Sequence, residues 1–81
     1  MSIPRITNVI TENNLIIKVD FSNGIRKYFD CKKILNRRYE FRKLENPEYF
    51  KNIKVDSGGH GVSWDDELDI SEYEIYGEFD R

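Results

Sequence analysis

The residue best suited to chemistry is a single histidine, which lies in the glycine-rich stretch Gly58-Gly59-His60-Gly61. An exposed histidine can act as a general base or bind a metal ion. A general base also needs a partner that orients it and a nucleophile to activate, and no nearby residue supplies either at a recognisable spacing. The stretch also lacks the lysine and the Ser or Thr of a phosphate-binding P-loop. We therefore expect the glycines to form a turn, and we predict no catalytic residues and no enzyme activity.

A cluster of carboxylates follows this stretch, and carboxylate oxygens are the ligands that Ca²⁺ and Mg²⁺ prefer. The cluster consists of Asp65, Asp66, Glu67 and Asp69. A calcium-binding EF-hand loop requires a glycine at its sixth position and a glutamate at its twelfth. In a loop starting at Asp65, Ile70 and Tyr76 occupy those positions. We therefore expect a solvated acidic turn rather than a cation site.

The chain contains one cysteine, Cys31, and one histidine, His60. One residue of each kind is weak evidence for a thiolate–imidazole pair, and two soft ligands cannot complete the four that a structural zinc ion requires. A single cysteine also excludes an internal disulfide and is typical of a reducing cytoplasm. We expect Cys31 to fill a small buried apolar position, and we predict no metal and no cofactor.

Charge is distributed unevenly along the chain. The 13 basic and 15 acidic side chains give a formal net charge of −2, which argues against a generally basic nucleic-acid-binding protein. However, residues 1–54 carry a net charge of +6 and residues 55–81 a net charge of −8. In one interpretation the acidic tail folds across the basic middle, or both are solvated faces that keep the domain soluble. In the other, the basic stretch 26–43 is a patch for an acidic partner or a phosphate backbone.

Aromatic residues interleave with the arginines of this stretch, as they do on surfaces that stack on nucleic-acid bases. Trp and Tyr also dominate the hot spots of protein interfaces, although they suit a hydrophobic core equally well. The residues that we predict to bind a partner are Arg37, Arg38, Tyr39, Arg42, Lys43, His60 and Trp64.

The clearest predicted element is a strand that ends at Phe21. Leu15, Ile17, Val19 and Phe21 recur with the period of two that is typical of a strand with one buried face. Asn23-Gly24 then predicts a type I′ hairpin turn, because both central positions of that turn need a positive φ. Strands over residues 25–29 and 6–10 complete a three-stranded antiparallel meander.

Short helices are predicted after the meander. Asp30 can cap a helix over residues 31–36 by accepting from its unpaired amides. Asn46-Pro47 is a typical start for a second helix over residues 47–52, which would carry Tyr49 and Phe50 inward. Between these two helices, we expect an irregular segment anchored by Tyr39, Phe41 and Leu44.

A second hairpin and a final helix complete the prediction. Residues 53–55 and 62–64 alternate like strands on either side of the glycine-rich turn. Ser71 and Glu74 match a capping box, so we predict a helix from Glu72 to about Glu78 that buries Ile75 and one or two of Tyr73, Tyr76 and Phe79.

The predicted fold class is α+β: one antiparallel sheet of about five strands, with two or three short helices on one face. A chain of 81 residues is the size of a single domain, so residues 1–81 are taken as one unit. The longest aliphatic run is far shorter than the roughly 20 residues of a membrane-spanning helix, and the start has no apolar stretch of signal-peptide length. We therefore expect a cytoplasmic protein without membrane contact. The predicted core consists of Ile6, Leu15, Ile17, Val19, Phe21, Phe29, Leu35, Leu44, Phe50, Val55, Val62 and Trp64.

The order of these signals resembles a family of small bacterial proteins, domain of unknown function 2442. The likeness covers nearly the whole chain. The segments that carry it are Pro4-Arg5-Ile6, Val19-Asp20-Phe21-Ser22-Asn23-Gly24, Phe29-Asp30, Ile34-Leu35, Phe41, Leu44-Glu45-Asn46-Pro47, Phe50, Ile53-Lys54-Val55, Gly58-Gly59, Val62-Ser63-Trp64 and Leu68-Asp69-Ile70-Ser71. The chain departs from the family at residues 37–40, where a glycine is common, and in the extra Gly61.

The resemblance implies an α+β fold with no established activity and no catalytic residues to carry over. Some members of the family are encoded beside a second small uncharacterised domain (number 4160), in the manner of toxin–antitoxin pairs. Others carry a helix-turn-helix after this domain, and residues 65–81 are too short to form one. We therefore expect a non-enzymatic interaction module, a neutralising member of a two-protein pair whose small protein partner is encoded nearby. The alternative is a nucleic-acid-binding or transcription-accessory protein that uses the basic 26–43 stretch. The oligomeric state is left open.

Overall fold

The computed structural model describes residues 3–78 and has an α+β architecture with two antiparallel three-stranded sheets. The strands of the first sheet are β1 Ile6–Thr11, β2 Ile16–Phe21 and β3 Arg26–Asp30. The strands of the second sheet are β4 Lys54–Val55, β5 Gly61–Ser63 and β6 Asp69–Ser71. Helix α1 is Pro47–Phe50 and helix α2 is Glu72–Glu78. The predicted fold class is confirmed, but six strands form two sheets instead of about five forming one.

The first sheet is the predicted meander, with Val19 of β2 opposite Val9 of β1 and Lys27 of β3. The inward face of β2 is buried as its alternation predicts, through Ile17, Val19 and Phe21. The turn between β2 and β3 differs from the predicted type I′ turn. Only Gly24 has a positive φ (87°) there, so the connection is a longer loop that ends in a left-handed glycine.

The segment before β2 also differs from the prediction. Asn14 and Leu15 both have a positive φ, 63° and 61°, so Leu15 lies in a turn and the strand begins at Ile16. A left-handed conformation is uncommon for a residue with a branched side chain. Leu15 is therefore half-buried beside the core instead of fully inside it.

Two 3-10 helices connect the sheets and replace the predicted helix and irregular segment. Cys31–Ile34 is capped by Asp30, whose Oδ1 accepts from the Lys32 amide at 3.0 Å, as predicted. This helix buries Cys31, and burial raises the pKa of its thiol to about 12. The second 3-10 helix is Tyr39–Glu45, which buries Phe41 and Leu44.

Helix α1 begins as predicted, because the Asn46 side chain accepts from the amides of Glu48 and Tyr49. Its last residue, Phe50, connects it to the second sheet. The Phe50 ring stacks on Trp64 with centroids 6.2 Å apart, and the Phe50 carbonyl accepts from Trp64 Nε1 at 2.9 Å. Trp64 is only 5% exposed, so it is a core residue and does not lie on the predicted binding surface.

The second sheet contains the predicted hairpin of β4 and β5, and β6 adds a strand that the sequence analysis did not predict. Helix α2 follows β6 directly, and the Ser71 hydroxyl accepts from the Glu74 amide at 3.1 Å, which is the serine half of the predicted capping box. The Glu74 carboxylate pairs with Arg37. Ile75 is buried and Tyr76 is half-buried against Phe21, whereas Tyr73 is exposed. Phe79 lies outside the described residues.

The two sheets share one core. The strand β1 lies beside β4 and β5, and the 3-10 helices and α1 contribute further apolar side chains. Within residues 3–78, no helix has the length and apolar character needed to cross a bilayer. Of the predicted core, Leu15 and Val55 are only half-buried. The buried apolar residues are Ile6, Ile17, Val19, Phe21, Phe29, Cys31, Ile34, Leu35, Phe41, Leu44, Phe50, Val62, Trp64, Leu68, Ile70 and Ile75.

Substitution of Gly59 tests how closely the two sheets approach. A Cβ at Gly59 would lie 2.6 Å from the Ile6 carbonyl oxygen, whereas a Cβ at Gly24 would meet nothing within 4 Å. Both glycines have a positive φ, so Gly24→Ala is the matched control for backbone strain, which costs about 1–2 kcal/mol. We expect Gly59→Ala to lower the free energy of unfolding by roughly 1–3 kcal/mol more than Gly24→Ala, because of overpacking. Urea denaturation of both variants measures the difference, and equal losses would contradict the close approach.

Candidate interaction surface

The exposed tyrosine Tyr39 is the centre of the candidate surface. In a 3-10 helix, side chains three positions apart lie on the same face. In Tyr39–Glu45, this repeat turns Phe41 and Leu44 into the core, and it turns Tyr39 and Arg42 away from it. Tyr39 is 89% exposed, so the prediction that it anchors the segment in the core is wrong.

Tyr39 borders a shallow groove of about 270 Å³. We call this groove, with its lining residues, the Tyr39 surface. The lining residues are Leu35, Asn36, Arg38, Tyr39 and Arg42. Three of the predicted partner-binding residues are therefore brought together here.

Arg38 contacts only neutral groups within residues 3–78. Its Nη2 donates to the backbone carbonyl of Glu67 at 3.0 Å, and its guanidinium carbon lies 5.0 Å from the centre of the Phe41 ring. These contacts orient the guanidinium group without neutralising its charge.

Arg42 is held loosely at the same groove. Its Nη1 donates to Asn36 Oδ1 at 3.0 Å, and its Nε lies 3.5 Å from a carboxylate oxygen of Glu45. The Arg42 and Glu45 side chains are each 50% exposed. An ion pair in such surroundings is weak because water screens it, so Arg42 can exchange Glu45 for another carboxylate.

Two other basic residues that were predicted to bind a partner form ion pairs with carboxylates of the acidic tail. Arg37 Nη2 lies 2.6 Å from Glu74 Oε2, and Lys43 Nζ lies 3.4 Å from Glu67 Oε1 and 4.0 Å from Asp65 Oδ2. The first interpretation of the charge pattern therefore holds for Arg37 and Lys43, since the acidic tail does pair with the basic middle. Sequence spacing contains no signal for these pairs, because the partners are more than 20 residues apart.

The acidic loop, residues 65–68 before β6, is fixed in this position by Asp65. Its Oδ1 accepts from the amides of Glu67 and Leu68, and its Oδ2 accepts from the Tyr49 hydroxyl at 2.6 Å. The hydrogen bond from Tyr49, with the backbone amides, holds the pKa of Asp65 below its usual value. Burial and the neighbouring Asp65 raise the pKa of Tyr49, so the hydroxyl stays protonated and keeps donating.

His60 lies apart from the Tyr39 surface, in the glycine-rich loop. Its side chain is 63% exposed, and its Nδ1 lies 3.0 Å from Glu72 Oε2. The His60 carbonyl also accepts from the Glu72 amide, so these contacts join the loop to the start of α2. Among residues 3–78, no three His, Cys, Asp or Glu side chains are grouped as metal ligands.

A second groove, of about 560 Å³, lies between the β1–β2 loop and α1 and has no counterpart among the sequence predictions. Asn14 and Leu15, which are the residues other than glycine with a positive φ within residues 3–78, are part of its wall. The groove is lined by Thr11, Glu12, Asn13, Asn14, Leu15, Leu44, Glu45, Pro47, Phe50 and Lys51.

These features define a small α+β domain with an exposed surface of arginine and tyrosine. The chain belongs to the family described as "Protein of unknown function (DUF2442)", which matches residues 6–81, so the resemblance seen in the sequence is confirmed. No curated protein and no solved structure matches the chain.

The substitution Tyr49→Phe tests how the acidic loop is held. Because the pKa of Asp65 is lowered in the folded protein, ionised Asp65 stabilises the fold above the usual pKa of 3.8, and that stabilisation is lost as pH falls through the lowered pKa. Without the hydroxyl, we expect the pKa of Asp65 to rise towards 3.8. An NMR titration of the Asp65 carboxyl measures this shift, with Tyr73→Phe on the exposed face of α2 as the control. An unchanged pKa in Tyr49→Phe would show that the hydroxyl does not hold the loop.

Proposed function

We propose that this chain is a non-enzymatic protein-interaction module that acts through the Tyr39 surface. The observation that carries the proposal is the 89% exposure of Tyr39 at a groove that it lines with two arginines. Tyr and Arg are, with Trp, the residues most enriched in interface hot spots, and a tyrosine left this exposed adds little to the stability of the isolated domain. We propose that the module acts in the cytoplasm, where Cys31 remains a thiol.

The partner that we propose is a small protein encoded by a neighbouring gene, with this chain as the neutralising member of the pair. The family resemblance motivates this choice, and the exposed Tyr39 surface is where we expect such a partner to bind. The alternative, nucleic-acid binding through the basic stretch, has weaker support. Arg37 and Lys43 are already paired with Glu74 and Glu67, so fewer cations remain for the many phosphate contacts that nucleic-acid binding needs.

Co-expression with the product of the adjacent gene, followed by size-exclusion chromatography, tests the proposal. We expect the two proteins to elute together and Tyr39→Ala to separate them, because truncation of a hot-spot tyrosine typically weakens binding at least tenfold. Tyr73→Ala is the matched control, since Tyr73 is also an exposed tyrosine, at 72%, on a different helix.

Urea denaturation of Tyr39→Ala serves as the folding control and should match the parent chain. Failure of the two proteins to co-elute would overturn the proposed pair. A complex that survives Tyr39→Ala but is lost in Tyr73→Ala would move the contact surface to α2.

A further inference from the structure

We infer that the Tyr39 surface recognises an acidic segment of a protein partner, in which carboxylates bind Arg38 and Arg42. This inference rests on the proposed function and specifies the chemistry of the partner. It follows from the charges that the fold leaves unbalanced and from the groove that the two arginines share.

The fold leaves few positive charges available at this surface. Arg37 and Lys43 are paired with carboxylates of the acidic tail. Arg38 has only a carbonyl and an aromatic ring as partners among the described residues, and Arg42 has a solvent-exposed contact with Glu45 at 3.5 Å. The other carboxylate of this helix belongs to Glu40. Because residues three apart share a face of a 3-10 helix, Glu40 lies on the same face as Lys43 and not on that of Arg42.

Two guanidinium groups favour carboxylates on a protein over a nucleic acid. Nucleic-acid binding gains its affinity from many phosphate contacts, each of which releases counterions, and this surface provides cations for only two. A planar guanidinium group can instead form two parallel hydrogen bonds with one carboxylate, so two arginines are sufficient to specify a short acidic motif.

Arg38, Tyr39 and Arg42 line the same groove. Arg38 precedes the 3-10 helix and has an extended backbone (φ −145°, ψ 152°), whereas Arg42 lies within the helix. A segment that crosses the groove can therefore place a carboxylate at each guanidinium group, with the Tyr39 ring beside it.

Carboxylates of this chain already contact the same helix. Asp65 and Glu67 both approach Lys43 Nζ, at 4.0 and 3.4 Å. They do so from a turn, because Asp65 Oδ1 accepts from the amides of Glu67 and Leu68. A partner segment would add carboxylates at Arg38 and Arg42, which these two side chains do not reach.

Binding of a synthetic peptide tests the inference. The probe is a fluorescein-labelled peptide with three Asp-Leu-Glu repeats, and its control has Asn and Gln at the acidic positions. By fluorescence anisotropy at low ionic strength, we expect the acidic peptide to bind at least tenfold more tightly than the amide control. We also expect Arg38→Gln and Arg42→Gln each to weaken that binding about tenfold. Lys54→Gln, which removes a charge from an exposed position on β4, should leave it unchanged.

Three results would overturn the inference: equal binding of the acidic and amide peptides, equal effects of Lys54→Gln and Arg38→Gln, or tighter binding of a single-stranded oligonucleotide of the same charge.

The substitution Arg42→Lys keeps the charge but loses the planar group. If it recovers less than half of the affinity that Arg42→Gln loses, the result supports bidentate pairing. Full recovery would contradict that geometry. If the neighbouring protein co-elutes with Arg38→Gln and Arg42→Gln as well as with the parent chain, the proposed function stands and this inference fails.

Discussion

The structure depends on a core that neither sheet can complete alone. Each sheet has three strands and one apolar face, and a domain this small buries only about 60% of the surface of its unfolded chain. The segment between the sheets therefore supplies apolar side chains to both. Trp64 is the main connection, because its ring packs on Phe50 and its indole nitrogen donates to the Phe50 carbonyl. Wherever this segment turns apolar residues inward, its charged residues must face outward.

That requirement explains where the charges lie. The three-residue repeat of Tyr39–Glu45 places Phe41 and Leu44 in the core, and so exposes Tyr39 and Arg42. The acidic loop, held by the hydrogen bond between Tyr49 and Asp65, then reaches Lys43 but leaves Arg38 with neutral partners only among the described residues. The fold thus pairs most of the cations of residues 26–43 with carboxylates, and it leaves a small positively charged surface around the exposed ring of Tyr39.

The sequence predicted the parts of this fold that depend on near neighbours. The alternation that ends at Phe21 and the caps at Asp30, Asn46 and Ser71 act over a few residues, and the structure contains all of them. The strand β6 was missed although Leu68 and Ile70 are buried and Asp69 and Ser71 are exposed, because four residues are a short alternation and the carboxylates before them favoured an acidic turn. Tyr39 was misplaced because a 3-10 repeat in so short a segment cannot be told from an irregular one. The tail's ion pairs depend on tertiary packing, so spacing along the chain does not reveal them.

Hydrogen–deuterium exchange of the isolated chain and of its complex with the neighbouring protein tests the central claim most directly. If the Tyr39 surface is the contact, slowed exchange on complex formation will be concentrated in the amides of residues 35–42, because docking there excludes water from the turn and the start of the second 3-10 helix. The glycine-rich loop and the β1–β2 loop should exchange as in the isolated chain. Slowed exchange in either loop, with residues 35–42 unchanged, would contradict the account.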